Sequence, residues 1–447
     1  MENPYEFQFF YHASRVTRHL SRVPIFILNN SYLMKSYALA ILLLFIILNA
    51  GFAAEKNGSL EKKAAAIHHT VFTIDSHTDT PMQMMQKGFD MSVRHDSRTE
   101  YSKIDFARMK EGGLDGVFFA VFVSQGPRNP DANEKVKQKA ITLFDTIHAV
   151  VGRNKALAGL VVSPSEIQAV RKTGKRAVFI GIENGYAIGK DLSLISTYYL
   201  RGARYITLCH TKNNDICDSS TDSTEHNGLS KFGYEVVQEM NHVGVMVDIS
   251  HISDKAAKDV LAFTKVPVIA SHSCAKALCN NPRNLSDDLL RAVAKNGGVV
   301  QMCILSDYVK TPLPNPARDS ARTAVRKKYH DFDGLNDDEM KAARKAWNSV
   351  NEKFPQKLAT VSDVVDHIDH MVKIAGIRHV GIGTDFDGGG GVDGCFDVSE
   401  MGNLTLELVR RGYSKGDIRK IWGGNLLRVM TKTEEAARQY KLHCNCH

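Results

Sequence analysis

Short runs of β-branched and aliphatic residues alternate with amphipathic helical segments along most of this chain, and this alternation constrains the fold most. Several runs are nearly continuous in Val, Ile and Phe, which is typical of parallel strands buried on both faces. Eight such units favour an α/β fold of the (β/α)8 TIM-barrel type over an open sheet. The predicted strands are residues 71–77, 116–123, 177–183, 205–210, 244–250, 266–271, 298–304 and 379–384.

Helix boundaries and one insertion can be located between these strands. One amphipathic segment ends at Gly244, and another begins with Ser286 as an expected N-cap and closes on Gly297. Segment 307–360 is highly charged, mostly helical in pattern, and inserted between the seventh and eighth predicted strands. It is either a lid or pocket wall or a solvated helical excursion, because barrel loops carry function but also tolerate insertion.

The amino-terminal region contains a targeting segment. Lys35 precedes the apolar stretch 37–48, and the small residues of NAGFAA follow it. This order is typical of a secretory signal peptide, and the stretch is shorter than the about 20 residues that span a bilayer. We therefore predict that residues 1–53 are an upstream extension and signal peptide and that 54–447 form one barrel domain. The protein would be exported, periplasmic or secreted, with an uncleaved membrane anchor as the alternative.

Composition and charge give little support to a nucleic-acid partner. The net charge of +8 is spread along 447 residues, without a basic run interleaved with aromatic residues. An exported protein could pair some of its eight cysteines, but their spacing does not show which. The terminal HCNCH resembles a metal-binding tract, although a frayed terminus is the simpler interpretation. A homodimer is compatible with the sequence, which does not determine the oligomeric state.

Histidines and carboxylates lie at the carboxyl ends of the predicted strands, where a parallel barrel gathers residues that are far apart in sequence. His77 and Asp79 are two residues apart, so a strand would aim both at one ion. Each residue alone is compatible with a core or capping role, but no position here requires a polar residue for folding. Because imidazole and carboxylate are ordinary zinc ligands, the joint pattern predicts a metal site. The five candidate ligands are His77, Asp79, Glu183, His251 and His272.

This ligand set indicates two zinc ions per chain. Five protein ligands exceed the about three that one catalytic zinc normally takes. If Glu183 bridges the ions, each ion has three protein ligands, and a shared hydroxide would be a nucleophile at neutral pH. The pattern therefore indicates a metallohydrolase.

Three other side chains are candidates for substrate contact. His210 ends the fourth predicted strand and could be a sixth ligand, a core histidine or an electrophile that stabilises an oxyanion. Asp385 in GTDFDGGGG lies beside glycines that allow close approach of a substrate, and a carboxylate near two cations suits proton transfer. Arg283 is either a clamp for a carboxylate or a surface arginine at a helix start.

The motifs IDSHTDT, GIENG, RYITLCH, VDISHISD, VIASHSCAKAL and HVGIGTDFDG resemble, in order and spacing, those of the membrane dipeptidase (renal dipeptidase) family of zinc peptidases. The resemblance covers residues 68–430 and implies the same eight-stranded barrel. It implies a zinc-dependent enzyme that cleaves dipeptides, often with a D-residue at the C-terminal position. Some members of the family also hydrolyse β-lactams.

The resemblance also implies how the candidate ligands are shared. His77, Asp79 and Glu183 would hold one zinc, while Glu183, His251 and His272 would hold the other.

Further roles follow from the same resemblance. His210 would polarise the scissile carbonyl, and Asp385 would shuttle the proton, so that both act with the bridging glutamate in catalysis. Arg283 and Tyr308 would bind the terminal carboxylate of the substrate. Mammalian members have a cysteine two residues after the histidine that matches His210, whereas this chain has Lys212, so that disulfide does not carry over.

Two alternatives belong to other functional classes. An amidohydrolase-type barrel that acts on a non-peptide amide, lactam or ester shares the HxD opening, but many such barrels bridge their metals with a carbamylated lysine. Glu183, with no lysine at that strand end, argues against those enzymes. A non-catalytic metal-binding protein would be expected to lack part of the constellation, and here every member is present.

Overall fold

A barrel of parallel strands organises the part of the chain that the computed structural model describes, residues 58–100, 102–332, 335 and 337–444. Eight strands follow one another in the order β1-β2-β4-β5-β6-β7-β8-β9, and β3 pairs only with β4. All pairs are parallel, so the predicted (β/α)8 fold is confirmed. The strands are β1 Ile74–Thr78, β2 Gly116–Phe122, β3 Ala158–Leu160, β4 Arg176–Glu183, β5 Ala203–Thr207, β6 Met246–Asp248, β7 Ile269–Ser273, β8 Val299–Met302 and β9 Val380–Ile382.

The strand predictions missed one strand and placed several strand boundaries wrongly. β3 was missed although it lies in the apolar run at 156–162, because only three of its residues form a strand and these pair with a single neighbour. The strand predicted at 266–271 begins instead at Ile269. Pro267, which precedes it, cannot donate to a strand ladder.

Helices cover the outside of the barrel, and several have the predicted ends. The helix before β6 ends at Gly244, which has a left-handed φ of 98°, and the Ser286 side chain caps the helix before β8. The helices are α1 58–70, α2 Pro81–Met84, α3 Phe106–Glu111, α4 Pro130–Arg153, α5 Ile167–Lys172, α6 Ser193–Leu200, α7 Lys231–Val243, α8 Asp254–Phe263, α9 Asp287–Asn296, α10 Ser306–Val309, α11 Pro316–Lys328, α12 Asp337–Lys353, α13 Val361–Ala375, α14 Gly402–Arg410, α15 Lys415–Arg419 and α16 Asn425–Cys444.

The charged insertion is helical, as predicted, and consists of α10, α11 and α12 between β8 and β9. Arg344 of α12 donates a hydrogen bond to the Gln86 side chain, 3.0 Å away, in the segment after β1. Gln356, after α12, donates to Asp307 of α10. The insertion therefore extends from the end of β8 to the loop after β1, on the side of the barrel where the strands end.

Backbone hydrogen bonds close the barrel between β1 and the segment after β9. The N–H of Asp385 donates to the carbonyl of His77 over 3.0 Å. Deeper in this seam, the buried carboxylate of Asp75 accepts bonds from the N–H (2.8 Å) and the hydroxyl of Thr384. Burial raises the pKa of Asp75 to about 6, and the bonds from Thr384 oppose that rise. Closure of the barrel thus brings a predicted ligand beside the predicted proton carrier.

Side chains of one row point into the barrel and form a core separate from the outer one. Phe118 of β2 stacks on Phe179 of β4, with ring centroids 4.8 Å apart, and both pack with Tyr205 of β5. Along β4 the same inward row continues from Phe179 to Gly181 and Glu183. A Cβ at Gly181 would lie only 2.0 Å from the Tyr205 ring, so glycine is required there. The inner aromatic layer therefore supports Glu183 from below.

Two further predictions concern residues that the structure leaves outside its description. The predicted signal segment and the boundary at residue 54 lie there, as do the side chains of the HCNCH tail. None of the helices within the described ranges is long and apolar enough to cross a membrane. The six cysteines whose side chains are described are buried free thiols.

We predict that Phe118→Ala lowers the free energy of unfolding by about 3–5 kcal/mol, because it opens a cavity in the inner aromatic layer. Leu200→Ala is the matched control: Leu200 is 84% exposed, so its loss should cost within about 0.5 kcal/mol. Urea denaturation of the metal-loaded proteins measures both values. Equal stability losses for the two variants would contradict the assignment of Phe118 to a packed interior.

Candidate active site

The five predicted metal ligands lie together at the carboxyl end of the barrel, each delivered by a strand end. His77 belongs to β1, and Asp79 is the first residue after that strand. Glu183 is the last residue of β4. His272 belongs to β7, and His251 comes three residues after β6. All five are buried. The barrel therefore collects residues that are up to 195 positions apart, as 272 − 77 gives, into one cluster.

Glu183 lies at the centre of this cluster. Its Oε2 is 3.3 Å from Nε2 of His77, whereas its Oε1 is 3.0 Å from Nε2 of His251 and 3.5 Å from Nε2 of His272. The two oxygens of one carboxylate thus face different histidines, which is the arrangement that a bridging ligand needs.

Distances alone do not divide the ligands into the two predicted sets. Three overlapping groups each have ligand atoms within 4.8 Å of one another, and one of them joins His77 and His272 through Glu183. His210 groups with Glu183 and His251, and Asp385 groups with His77 and Asp79. Both residues, which we considered for substrate and proton contacts, are therefore also within reach of the candidate metal positions.

The donor set fits a cation. Nε2 of His77 and Oδ1 of Asp79 are buried and have no hydrogen-bond partner, a costly arrangement that a bound cation would relieve. Burial alone would lower the pKa of His77, but Glu183, Asp79 and Asp385 raise it to about 10. Burial and neighbouring carboxylates also raise the pKa values of Asp79 and Asp385 well above their usual range. Without a cation the site therefore favours the neutral form of these two carboxyls, and a bound cation would favour their ionised form.

A supporting layer orients the histidines, and we did not predict it from the sequence. The Nδ1 of His77 is 2.8 Å from the hydroxyl of Tyr205. The hydroxyl of Ser271 donates to the buried carboxylate of Asp248 (2.6 Å) and lies 2.8 Å from Nδ1 of His272. Because that hydroxyl donates to Asp248, it accepts from Nδ1–H, which leaves the Nε2 lone pair directed at the cluster. The signal in the sequence was a carboxylate inside the apolar run VMVD, where only a partnered charge is tolerated.

Three site residues have left-handed backbone conformations that non-glycine residues rarely adopt. The φ values are 76° at Asn184, 69° at His251 and 61° at Asp385. Such conformations persist only where the surrounding structure fixes them, and they concentrate at functional sites. Asn184 shows how: its side chain accepts from the N–H of Tyr186 and donates to the carbonyl of Val123.

His210 lies at the edge of the cluster, beyond β5. Its Nε2 is 3.7 Å from Oε1 of Glu183, and its ring packs against those of His251 and Phe122. Burial lowers its pKa, so the ring is neutral near pH 7. The Thr211 hydroxyl lies 3.3 Å from Nδ1. In the tautomer whose Nδ1 accepts from this hydroxyl, the Nε2–H can donate to a carbonyl oxygen.

The backbone of Gly388 approaches the carboxylates of Asp79 and Asp385 closely. A Cβ at Gly388 would lie 2.0 Å from Oδ2 of Asp79 and 2.3 Å from Oδ1 of Asp385. Any side chain at this position would therefore intrude on both carboxylates. Glycine is therefore required at position 388, whereas room for a substrate beside Asp385 stays a prediction.

Arg283 is buried rather than exposed on a helix start. Its Nη2 donates to the carbonyl of His272 (3.2 Å), and the guanidinium carbon is 5.5 Å from the centroid of the Tyr308 ring. Nε is buried without a hydrogen-bond partner, and the described residues provide no ion pair for this arginine. A buried cation with free donors beside a phenol is suited to bind an anionic group.

Comparison with known proteins identifies the family. The model of the membrane dipeptidase family, peptidase family M19, matches residues 61–443. Dipeptidase verJ of Clonostachys rogersoniana is 32% identical over 391 residues, which cover 85% of this chain and 88% of that protein. An uncharacterized dipeptidase of Schizosaccharomyces pombe is 31% identical over 387 residues, covering 82% of this chain and 81% of that protein.

Solved structures show the same architecture. The probable dipeptidase PvdM from Pseudomonas aeruginosa has a TM-score of 0.73 at 28% identity, covering 85% of this chain and 99% of that chain. A metallo peptidase from Rhodobacter sphaeroides, liganded with a phosphinate mimic of L-Ala-D-Ala, shares the fold with a TM-score of 0.66 at 21% identity, covering 81% and 99%. Sequence, fold and site thus agree, and this chain belongs to the membrane dipeptidase family and is a metallo-dipeptidase.

Proposed function

We propose that this enzyme is a dinuclear zinc dipeptidase. The observation that carries the proposal is the position of Glu183, whose two carboxylate oxygens face different histidines. His77 and Asp79 would complete one ion's ligands, and His251 and His272 the other's. When bound, zinc polarises a carbonyl and makes water nucleophilic at neutral pH.

The remaining residues would bind and orient the dipeptide and move its protons. The guanidinium of Arg283, with Tyr308, binds the terminal carboxylate and so fixes the position of the scissile bond. Nε2–H of His210 donates to the carbonyl oxygen, which becomes negatively charged in the transition state. Hydrolysis adds OH to the carbonyl carbon and a proton to the leaving nitrogen, and the carboxylate of Asp385 carries that proton between them.

A C-terminal D-residue and β-lactam hydrolysis remain proposals about substrate range. The phosphinate mimic of L-Ala-D-Ala bound by the Rhodobacter sphaeroides metallo peptidase supports the first of these proposals. Assays with L-Ala-D-Ala, L-Ala-L-Ala and a β-lactam, with and without chelator, would define that range.

We predict that the purified protein binds two zinc ions per chain and that Glu183→Gln weakens both sites. The substitution removes the carboxylate charge that both proposed sites share. Asp79→Asn is the matched comparison, because it removes charge from one proposed site only. Metal analysis after dialysis should give about two ions per chain for the wild type and one for Asp79→Asn. Glu183→Gln should retain fewer ions than Asp79→Asn. One tight ion in the wild type, with no gain in activity on added zinc, would contradict this prediction.

The size limit of the substrate is predicted to depend on Arg283. An amidated dipeptide or a tripeptide places no carboxylate where Arg283 can pair with it. Because leaving a buried charge unpaired is costly, the enzyme should favour free dipeptides over these substrates by about 10²-fold or more. Arg283→Ala should therefore reduce kcat/KM for free dipeptides far more than for amidated ones.

Arg291→Ala provides the control for that experiment, because Arg291 is exposed on α9 and pairs with Asp288. Its kcat/KM values should match those of the wild type for both substrate classes. If Arg283→Ala reduced kcat/KM equally for free and amidated dipeptides, Arg283 would not recognise the carboxylate.

We also propose that the enzyme is exported, on the basis of the predicted signal peptide within residues 1–53. Amino-terminal sequencing of protein expressed from the full chain should find a mature start near residue 54 in an exported fraction. A chain that retains the apolar stretch 37–48 in the membrane fraction would support the uncleaved anchor instead. The same uncleaved chain in the soluble cell fraction would contradict export.

A further inference from the structure

A largely buried lysine outside the ligand cluster contacts the glycine loop that follows Asp385. The ammonium of Lys103 donates to the carbonyl of Gly390 and lies 4.1 Å from the centroid of the Phe396 ring. The described residues place no carboxylate oxygen within ion-pair distance of this ammonium. Its main polar contact is therefore a backbone carbonyl of the loop.

That loop adopts a conformation that needs to be held in place. Asp385 and Asp387 have left-handed φ values of 61° and 66°. The N–H groups of Gly388 and Gly390 both donate to the carbonyl of Asp385, over 3.2 and 2.7 Å. Gly390 thus contacts Lys103 through its carbonyl and Asp385 through its N–H, and a displacement of Gly390 would move the backbone of Asp385.

A second contact joins the Lys103 segment to the same loop. The carboxylate of Asp387 accepts from the N–H of Lys103 (2.7 Å) and from the hydroxyl of Thr80 (2.8 Å). Thr80 directly follows the candidate ligand Asp79. Backbone bonds of Asp385 and Phe386 and the Thr80 hydroxyl thus fix the start of the loop to the β1 end, whereas Lys103 fixes Asp387 and Gly390.

We propose that Lys103 is a positioning residue, whose ammonium holds Gly390 and thereby orients the Asp385 carboxylate for proton transfer. This inference rests on the proposed role of Asp385. Burial lowers the pKa of Lys103 to about 8, against the opposing effect of Asp387 and Asp385, so most of the side chain remains protonated at pH 7.

Lys103→Met tests this proposal, because it removes the ammonium and keeps most of the side-chain volume. A misplaced catalytic group can cost about 10²-fold in rate, so we expect kcat to fall by about 10–10²-fold. KM should change by less than about threefold, because carboxylate binding at Arg283 is untouched. Zinc content should be unchanged. Lys110→Met, at an exposed lysine of α3, is the matched control and should leave kcat unchanged.

A double-mutant cycle with Asp385→Asn separates positioning from a general loss of structure. Asp385→Asn alone should lower kcat by about 10²–10⁴-fold with zinc retained. Adding Lys103→Met to it should lower kcat by less than about threefold further, because the residue through which Lys103 acts is already inactive. Hydrogen exchange of the Gly388 and Gly390 amides gives a readout independent of turnover, and both should exchange faster in Lys103→Met.

If Lys103→Met lowered kcat by the same factor in the wild type and in Asp385→Asn, or left kcat unchanged, the positioning role of Lys103 would be overturned. The role of Asp385 would remain intact. Full turnover in Asp385→Asn would overturn both proposals. If Lys103→Met does not fold, Lys103→Gln, which keeps an N–H donor, is tested in the same cycle. Loss of zinc from a folded variant would make Lys103 a structural residue and overturn the inference.

Discussion

The burial of several carboxylates among histidines at one end of the barrel is the arrangement on which the rest of this structure depends. Glu183, Asp79 and Asp385 share a space from which water is largely excluded, and together they raise the pKa of His77 to about 10. Buried charges of this kind are costly unless they are paired or coordinate metals. Metal ions at the centre would supply the missing positive charge. The dipeptidase chemistry and the stability of this end of the barrel therefore have the same electrostatic basis.

The barrel also orients two of the candidate ligands, because hydrogen bonds to their Nδ1 atoms fix the rings of His77 and His272. Tyr205 bonds Nδ1 of His77, and the Asp248–Ser271 pair orients His272, so the atoms that face the cluster have little freedom. The inner layer beneath Glu183 is so tight that only glycine fits at position 181. A rigid frame of this kind makes a site precise, because preorganised ligands lose little freedom when they bind.

Much of this could be predicted from local sequence. Strands buried on both faces produce unbroken apolar runs, so the polar residue that ends each run, such as Glu183 or His272, stands out. The supporting residues did not stand out, because Tyr205 and Ser271 are ordinary strand residues until their neighbours across the barrel are known. The left-handed backbone at His251 is likewise imposed by tertiary contacts. The division of ligands between two ions also remains a prediction, because overlapping distances fit more than one grouping.

The most direct test of the central claim is anomalous diffraction at the zinc edge from crystals of the purified enzyme. It locates zinc and identifies its ligands without relying on turnover. We predict two peaks, one on each side of Glu183 and each bound by one of its oxygens. We also predict that Arg283 and Lys103 bind neither ion. A single peak, or two peaks of which neither contacts Glu183, would contradict a dinuclear centre bridged by Glu183.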